Sequence, residues 1–125
     1  MNHHFDKHKP IYLQIREKIE DQILNDQLQE GDQAPSTNQL VHFYKVNHAT
    51  VSKGVHQLVE EGILFKKRGI GMFVAEGAKE RVIQKRKKTF VEDYVVGFVR
   101  EANKLGLSDN EIIELIKQVK GRDAK

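Results

Sequence analysis

The sequence of 125 residues contains no cysteine. This absence excludes a disulfide framework, a thiolate metal site and a thiol nucleophile. Long apolar runs are missing as well, since no stretch approaches the ~18 apolar residues that a membrane span requires. The N-terminal segment MNHHFDKHKP has no apolar run of the kind found in a signal peptide. We therefore expect a cytoplasmic protein that does not interact with membranes.

The chain is poor in apolar residues, at 38%, and rich in charge, at 31%. These proportions suit one small domain, or a small domain with an accessory pair of helices, whose core would grow on dimerisation.

Groups of residues that could form a catalytic or metal site are equally scarce. Glu60 and Glu61 are adjacent and point to different sides of a helix, and His3, His4 and His8 lack further ligands at helical spacing. We predict no enzyme, no cofactor and no metal site.

Basic residues concentrate in the middle of the chain, although the net charge is only +3. Between residues 33 and 75, five lysines and arginines stand against two glutamates, and three histidines lie in the same stretch. A locally basic face on a nearly neutral protein is what contact with nucleic-acid phosphates requires. The alternative at this point is an ordinary solvated surface with scattered charge.

The first periodic segment predicts a helix from about Pro10 to Asn25. Its isoleucines recur at a spacing that lines one helix face, at Ile11, Ile15, Ile19 and Ile23. Proline suits a first helical turn because its missing N–H costs nothing there. Residues 1–9 are polar and are predicted to be flexible, and Gly31 interrupts the chain after the helix.

A second, shorter helix begins with a capping box. Ser36, followed by glutamine three residues later, supplies the two side chains that bond the free backbone N–H groups of a helix start. The helix should end near Lys45. It would bury Leu40 together with either Phe43 or Tyr44.

A third helix should run from an N-cap at Asn47 to a left-handed glycine at Gly62. Its core stripe comprises Val51, Val55, Leu58 and Val59. Its opposite face carries small or hydrogen-bonding side chains, namely His48, Ala49, Ser52, Lys53 and His56. Gly54 in mid-helix costs about 1 kcal/mol relative to alanine, so we expect it to pack closely against the second helix.

Two short apolar strands, at about 63–66 and 72–74, enclose a basic tip at 67–71. The glycines of the tip permit a tight turn and a close approach of the backbone to a ligand. Lys67 and Arg68 can meet phosphate there. The tripeptide GIG is too short for a nucleotide-binding phosphate loop, and no helix follows it in the right place.

The last third of the chain changes in character. Residues 79–88 carry six basic residues and one acidic residue. Such a run is usually a solvated helix face, and the functional alternative is additional phosphate contact beside the strands. A long helix is predicted from about Lys79 to Leu105, ending at Gly106. Its apolar stripe comprises Phe90, Val91, Tyr94, Val95, Phe98, Val99, Ala102 and Leu105.

A second capping box, Ser108 with Glu111, starts a final helix. This helix is lined by Ile112, Leu115, Ile116 and Val119. A helical pair with such a broad apolar face favours dimerisation. The alternative is that the pair packs back onto its own chain.

The middle of the chain resembles the winged-helix domain of the GntR-type bacterial transcription regulators. That family's signature reads roughly LPS-x-R-x-LA, SRTTVR or NPNTV, L-x-x-EG-hydrophobic and RG-x-GTFV. The corresponding pieces here are APSTNQL, NHATVSK, LVEEGIL and KRGIGMFV, and the opening PIYLQIREKIEDQI is also typical. The resemblance covers residues 10–74. The short helical tail looks like that of the YtrA subfamily, which implies a dimeric repressor, often of a transporter operon.

Three positions depart from the family pattern. Asn38 stands where the family often has an arginine, His48 replaces the usual arginine at the start of the recognition helix, and Ala49 replaces a common polar residue. Asparagine and histidine still hydrogen-bond to bases or phosphates, but without the bidentate guanine geometry of arginine. The resemblance therefore implies an operator different from that of arginine-bearing relatives.

The sequence thus predicts a mainly α fold with a small β wing: a winged helix-turn-helix domain at 10–75, followed by a helical dimerisation region at 76–125. The expected partners are an operator in double-stranded DNA, a second copy of the chain and an unidentified small-molecule effector. The predicted DNA-contacting residues are Ser36, Thr37, Asn38, Asn47, His48, Ala49, Thr50, Ser52, Lys53, Lys67, Arg68 and Gly69. The predicted dimerisation residues are Phe90, Val91, Tyr94, Val95, Phe98, Ala102, Leu105, Ile112 and Ile116. The alternative function is a winged-helix module for protein or RNA interaction without sequence-specific DNA binding.

Overall fold

The computed structural model describes residues 5–123. Its elements in chain order are helices α1 (Ile11–Leu24), α2 (Thr37–Tyr44) and α3 (His48–Glu60), strands β1 (Leu64–Lys67) and β2 (Gly71–Val74), helix α4 (Ala78–Phe90), a π-helical turn (Val91–Val95), and helices α5 (Val96–Lys104) and α6 (Asp109–Asp123). The chain divides into two compact units, residues 1–85 and 86–125. Within residues 5–123, no helix is both long and apolar enough to cross a lipid bilayer.

The core of the first unit forms around α3, which packs against α1, α2 and β1. The apolar stripes predicted for α1 and α3 supply most of it. Ile11 was wrongly placed in the core: it is the first residue of α1 and is 39% exposed, and Val59 is only partly buried. The buried residues are Ile15, Ile19, Ile23, Ala34, Leu40, Val51, Val55, Leu58, Ile63, Leu64, Val74, Ala78 and Val82. In α2 the choice between two aromatic residues is resolved: Tyr44 packs against this core, whereas Phe43 stays 46% exposed.

The close packing predicted for Gly54 is present, but the predicted partner was wrong. Gly54 is buried against Tyr12 of α1, not against α2. The reason is the helix arrangement: α1 lies across the middle of α3, and a side chain at position 54 would meet the backbone of α1. The spacing of residues within α3 indicates a close approach but does not identify the neighbour.

The hairpin is wider than the sequence indicated. β1 and β2 pair antiparallel, with Leu64 opposite Val74 and Lys67 opposite Gly71. Residues 31–34, expected only to interrupt the chain, run along the other edge of β2. Their backbone bonds include Gly31 N to Val74 O at 2.9 Å and Ala34 N to Met72 O at 2.8 Å. The segment that leads into α2 is thereby tied to the hairpin.

The first residues of the described chain are also tied down. Asp6 N donates to Gln14 Oε1 at 2.7 Å, and Lys9 pairs with Glu17 at 2.9 Å. Phe5 packs against the core and lies 5.7 Å from the ring of Tyr44. Residues 5–9, predicted to be flexible, are therefore held against the first unit, and residues 1–4 lie outside the described part.

Basic side chains of the run at 79–88 form ion pairs and hydrogen bonds within the protein, which neither expectation for the run foresaw. Lys79 pairs with Asp26 at 2.9 Å, and Arg81 Nη1 donates to the carbonyl oxygens of Gly62 and Glu76 at 2.9 and 2.8 Å. Lys85 joins the charge network described next. These three side chains fasten the beginning of α4, residues 78–85, to the rest of the first unit.

A network of four charges joins α1, α3 and α4. Arg16 pairs with Glu20 at 3.3 Å and with Glu61, and its Nη1 donates to Gln57 Oε1 at 2.7 Å. Lys85 pairs with the same two carboxylates, at 3.2 Å and 2.8 Å. Arg16 and Glu20 are almost completely buried. The two cations balance the two anions, which keeps the buried charges compensated.

The helices predicted for the last third of the chain are present, together with a π-helical turn. α4, the turn and α5 run consecutively through the predicted range of 79–105. At Gly106, with φ +69°, the chain leaves the helix. The capping box of α6 is present: Glu111 N donates to Ser108 Oγ at 3.2 Å, and Ser108 N donates to Glu111 Oε1 at 2.8 Å. Hydrogen bonding of the Glu111 carboxylate to the backbone N–H of Ser108, and secondarily to its hydroxyl, lowers the pKa of that carboxyl.

Candidate nucleic-acid interface

The helix-turn-helix is set by local hydrogen bonds. At the start of α2, Gln39 N donates to Ser36 Oγ at 3.0 Å, and Ser36 N donates to Gln39 Oε1 at 2.8 Å. Lys45 ends α2 in the left-handed conformation, with φ +55°. Two residues later Asn47 caps α3, its Oδ1 accepting from Thr50 N at 2.8 Å. The turn between the two helices is therefore short and closed at both ends.

The C-terminal end of α3 is fixed by a Schellman motif. Gly62 N bonds Val59 O at 3.0 Å, and Ile63 N bonds Leu58 O at 2.9 Å. Gly62 has φ +75°, a conformation that side-chain-bearing residues rarely adopt. Since Ile63 immediately precedes β1, this motif sets the direction in which the chain enters the wing.

One face of α3 is anchored in the core and the other is open. Val51 and Leu58 have no exposed surface. The predicted contact residues of the helix lie away from them: His48, Ala49 and Lys53 are exposed, and Ser52 is partly exposed. His56 extends the same face by one turn. The open face thus carries hydrogen-bonding and cationic groups on a rigidly packed helix.

Three of the predicted contact residues take part in the capping hydrogen bonds at the starts of α2 and α3. The side-chain oxygens of Ser36 and Asn47 are occupied by the caps of α2 and α3, and Thr50 supplies the backbone N–H that Asn47 binds. Thr37 and Asn38 lie in the first turn of α2, with Asn38 exposed. The caps place the free N-terminal ends of both helices beside these residues, and such ends attract phosphate.

The tip of the wing is a β-turn, closed by a bond from Ile70 N to Lys67 O at 2.9 Å. Gly69 has φ +78° at the third position of this turn, where glycine is favoured. Arg68 and Gly69 are exposed at the tip. The turn therefore brings a guanidinium and a bare stretch of backbone to the end of the hairpin.

The base of the tip is braced by aromatic residues and by Gln33. The rings of Phe65 and Phe73 stack with centroids 5.9 Å apart, and Lys67 Nζ lies 4.5 Å from the centroid of Phe73. Gln33 Nε2 donates to Ile70 O at 3.2 Å. An ideally placed Cβ on Gly71 would lie only 2.6 Å from the Gln33 amide nitrogen and would displace that side chain, and φ +144° at Gly71 independently favours glycine.

Tyr12 of α1 belongs to the same surface, although the sequence analysis did not include it among the site residues. Lys53 Nζ lies 4.1 Å from the centroid of its ring. The family-like opening PIYLQI contains Tyr12, but nothing in the spacing of the sequence links it to α3. The link arises only because Gly54 lets α1 approach α3.

A groove of about 1010 Å³ lies elsewhere in the first unit. Its walls come from α1, α2 and the segment between them, and they include Ile19, Leu28, Leu40, Phe43 and Tyr44. None of the predicted DNA-contacting residues lines this groove. Its lining contains no aspartate, glutamate, lysine or arginine, and one histidine, His42. Burial raises the pKa of the Tyr44 hydroxyl.

Within residues 5–123, histidine and acidic side chains form no group of three or more suited to a metal ion.

A capped helix presented by a helix-turn-helix, beside a basic hairpin with a glycine at its tip, defines a winged helix-turn-helix protein of the DNA-binding class. The chain belongs to the GntR family of bacterial regulatory proteins, whose family model matches residues 11–74. It is accordingly a DNA-binding transcriptional regulator and not an enzyme. The family expected from the sequence is confirmed, as is the mainly α fold with a β wing.

The similarity to known regulators extends over nearly the whole chain. The chain is 33% identical to the uncharacterised HTH-type transcriptional regulator YhcF of Bacillus subtilis, over 94% of this chain and 95% of that protein. It is 30% identical to the transcriptional repressor YtrA of the same organism, over 88% and 84% of the two chains. The resemblance to the YtrA subfamily is therefore supported along the tail as well as the wing domain.

Solved structures agree with the fold. A GntR-family regulator from Bacteroides thetaiotaomicron superimposes with a TM-score of 0.70 at 37% identity, covering 90% of this chain and 98% of that one. The DNA-binding domain of AraR, solved in complex with the operator ORE1, matches with a TM-score of 0.52 at 27% identity. That match covers 60% of this chain and 94% of the AraR domain.

Proposed function

We propose that the protein is a homodimeric repressor that binds an inverted-repeat operator in the cytoplasm. The observation that carries this proposal is the open face of α3, which is held rigidly by the core on one side and flanked by the basic wing. Similarity to YtrA, which is named as a repressor, supports repression rather than activation. Binding at a promoter would block access of the polymerase.

In this proposal α3 enters the major groove with its N-terminal end leading. His48 and Ser52 reach base edges, Ala49 packs against them, and Lys53 neutralises a phosphate. The capped helix starts also contact the DNA backbone. Phosphates meet the N-termini of α2 and α3 beside Ser36, Thr37, Asn38, Asn47 and Thr50. Ser36 and Asn47 keep their capping bonds while the adjacent N–H groups face the DNA.

The wing contacts the DNA backbone or the adjacent minor groove. Arg68 and Gly69 lie at its exposed tip, and Lys67 lies at the end of β1. A guanidinium at a glycine turn enters a narrow groove more readily than one on a bulkier loop. We therefore assign Arg68 to the groove and Lys67 to a phosphate.

Dimerisation is proposed from the apolar surface of the second unit. The exposed large apolar side chains of α4, the π-helical turn and α5 are Phe90, Val91, Tyr94, Phe98, Val99 and Leu105. Those of α6 are Ile113, Leu115, Ile116 and Val119. Val95 and Ile112 are partly exposed, and Ala102 is buried. Contiguous exposed apolar residues of this kind mark protein interfaces, and a second copy is the partner that a twofold operator requires.

The regulated gene and the effector stay predictions. The resemblance to the YtrA subfamily implies control of a transporter operon. A small-molecule effector is a separate expectation that the resemblance does not imply, and we propose the groove bounded by α1 and α2 as the place to look for it. Its lining suits an uncharged, partly apolar compound. A change in the angle between α1 and α2 on binding would alter the presentation of α3.

The test is binding of the purified protein to the DNA upstream of its own gene, measured by fluorescence anisotropy across a salt series. An unrelated duplex of equal length is the control. We expect at least ~10³-fold preference for the upstream DNA, two chains per site, and a linear fall of log K with log salt. Equal binding of both duplexes at all salt concentrations would contradict sequence-specific recognition at this site.

The alternative function, a winged-helix module for protein or RNA interaction, makes a different prediction. It implies weak duplex binding without sequence preference. Lys53→Ala and Arg68→Ala would then leave the biological interaction intact. Under the proposed function both substitutions reduce DNA affinity while the thermal unfolding midpoint stays near that of the wild type, because both side chains are exposed.

A further inference from the structure

Each of the two lysines assigned to phosphates lies over an aromatic ring from a different element. Lys53 Nζ of α3 lies 4.1 Å from the centroid of Tyr12 in α1. Lys67 Nζ of β1 lies 4.5 Å from the centroid of Phe73 in β2 and 5.8 Å from that of Phe65. Both distances to the nearer ring are within the range of a cation–π interaction.

We propose that Tyr12 and Phe73 are positioning residues for DNA binding, which hold the ammonium groups of Lys53 and Lys67 toward the phosphate backbone. This inference rests on the proposed function. It extends the interface to α1, in which no DNA-contacting residue was predicted. Neither ring is assigned a direct DNA contact.

The two rings preorganise the lysine side chains for binding. A free lysine side chain samples many rotamers, and fixing it on a phosphate costs conformational entropy. A ring beneath the ammonium group restricts it before DNA arrives, so less freedom is lost on binding. The ring face attracts the cation weakly at an exposed site and does not compete with a phosphate, which carries a full negative charge.

The position of Tyr12 is itself fixed by the fold. Its backbone carbonyl oxygen faces Gly54, adjacent to Lys53 in the sequence, at a distance that leaves no room for a Cβ. Tyr12 is half-buried, whereas Lys53 is exposed. The ring is therefore held by the α1–α3 contact, and the ammonium group is the movable partner. Phe73 is held similarly, by pairing of β2 with β1 and with Gln33.

The test is a double-mutant cycle in DNA affinity at Tyr12 and Lys53. We expect Tyr12→Leu to weaken specific binding about threefold, which corresponds to a surface cation–π interaction. In the Lys53→Ala background the same substitution should have no further effect. Tyr12→Phe, which keeps the ring, should bind as the wild type does. Phe73→Leu should behave in the same way toward Lys67→Ala.

In the free protein, the ring should shift the Lys53 Hε protons upfield in the NMR spectrum, and Tyr12→Leu should abolish that shift. Thermal denaturation of every variant separates loss of folding from loss of positioning. An equal effect of Tyr12→Leu with and without Lys53, or a Tyr12→Phe variant as weak as Tyr12→Leu, would overturn the inference. A wild type without sequence preference would instead overturn the proposed function, while the NMR shift would still report the contact.

Discussion

Gly54 of α3 faces the backbone carbonyl oxygen of Tyr12 in α1, so closely that an ideally placed Cβ on Gly54 would lie 2.6 Å from that oxygen. Since the neighbouring atom belongs to the backbone, it cannot swing aside as a flexible side chain would. The approach brings α1 beside the open face of α3 and places Tyr12 under Lys53. A single glycine therefore sets the spacing of the two helices that define the interface.

Gly54→Ala should destabilise the protein by about 2 kcal/mol, because the overpacking penalty exceeds the gain in helix propensity. The matched control is Gly97→Ala in α5, a helical glycine with nothing within 4 Å of its Cβ position. That variant should be about 0.5 kcal/mol more stable than the wild type. Urea unfolding followed by circular dichroism measures both changes. Equal effects of the two substitutions would disprove the tight α1–α3 contact.

Arg16→Met should destabilise the first unit by about 3 kcal/mol, since it removes one of the cations facing the buried carboxylate of Glu20 and leaves the network with excess negative charge. Lys104→Met is the control, because the Lys104–Glu101 pair is exposed, with its charged atoms 4.0 Å apart. We expect a change within about 0.5 kcal/mol for it. Chemical denaturation measures the free energy of unfolding of each variant and so distinguishes the effect of Arg16→Met from that of Lys104→Met. If Arg16→Met is as mild as the control, the network contributes little to stability.

The Glu111 carboxyl should titrate below the ordinary range of a glutamate, because Ser108 bonds its charged form. A depressed pKa means that the cap contributes above the unfolded pKa and is lost as the pH falls through the folded pKa. The start of α6 should therefore fray at acidic pH. Side-chain carboxyl chemical shifts recorded against pH measure the pKa. Ser108→Ala removes the hydroxyl but keeps the backbone N–H that donates to the carboxyl, so the pKa should rise only part of the way toward the ordinary value. A wild-type Glu111 that titrates in the ordinary range of a glutamate would refute the cause given.

Phe98→Asp should convert the proposed dimer to monomer, because it places a charge in the apolar surface of the second unit. Phe43→Asp is a closely matched control: the two phenylalanines are 45% and 46% exposed, and Phe43 lies in the first unit. That variant should stay dimeric. Sedimentation equilibrium gives the mass of each. A wild type that is monomeric at micromolar concentration, or a Phe98→Asp variant that is still dimeric, would rule out this surface as the interface.

The local signals in the sequence predicted local structure well. The capping boxes at Ser36 and Ser108 and the helix ends at Gly62 and Gly106 all form, because each depends on residues within one helical turn. The strand boundaries differ by one residue: Lys67 completes β1 and Gly71 begins β2. Such boundaries depend on the partner strand, which the sequence of one strand does not contain.

What the sequence did not predict depends on contacts between distant segments. The basic run at 79–88 gave no sign that Lys85 would meet Glu20 and Glu61, which lie 65 and 24 residues away. The pairing of residues 31–34 with β2 and the placement of Tyr12 beneath Lys53 have the same origin. The predicted contact residues on α3 could be chosen from helical periodicity, whereas the residues that position them come from other elements.

The most direct test of the central claim is selection of binding sites from a pool of random DNA duplexes by the purified wild-type protein. The account predicts enrichment of one inverted repeat, with half-site centres about 10 base pairs or a multiple of that apart. His48→Ala should relax the selection at a few positions within each half-site, while Lys53→Ala should weaken binding to all sequences evenly. Recovery of no preferred sequence by the wild type would contradict base reading by α3.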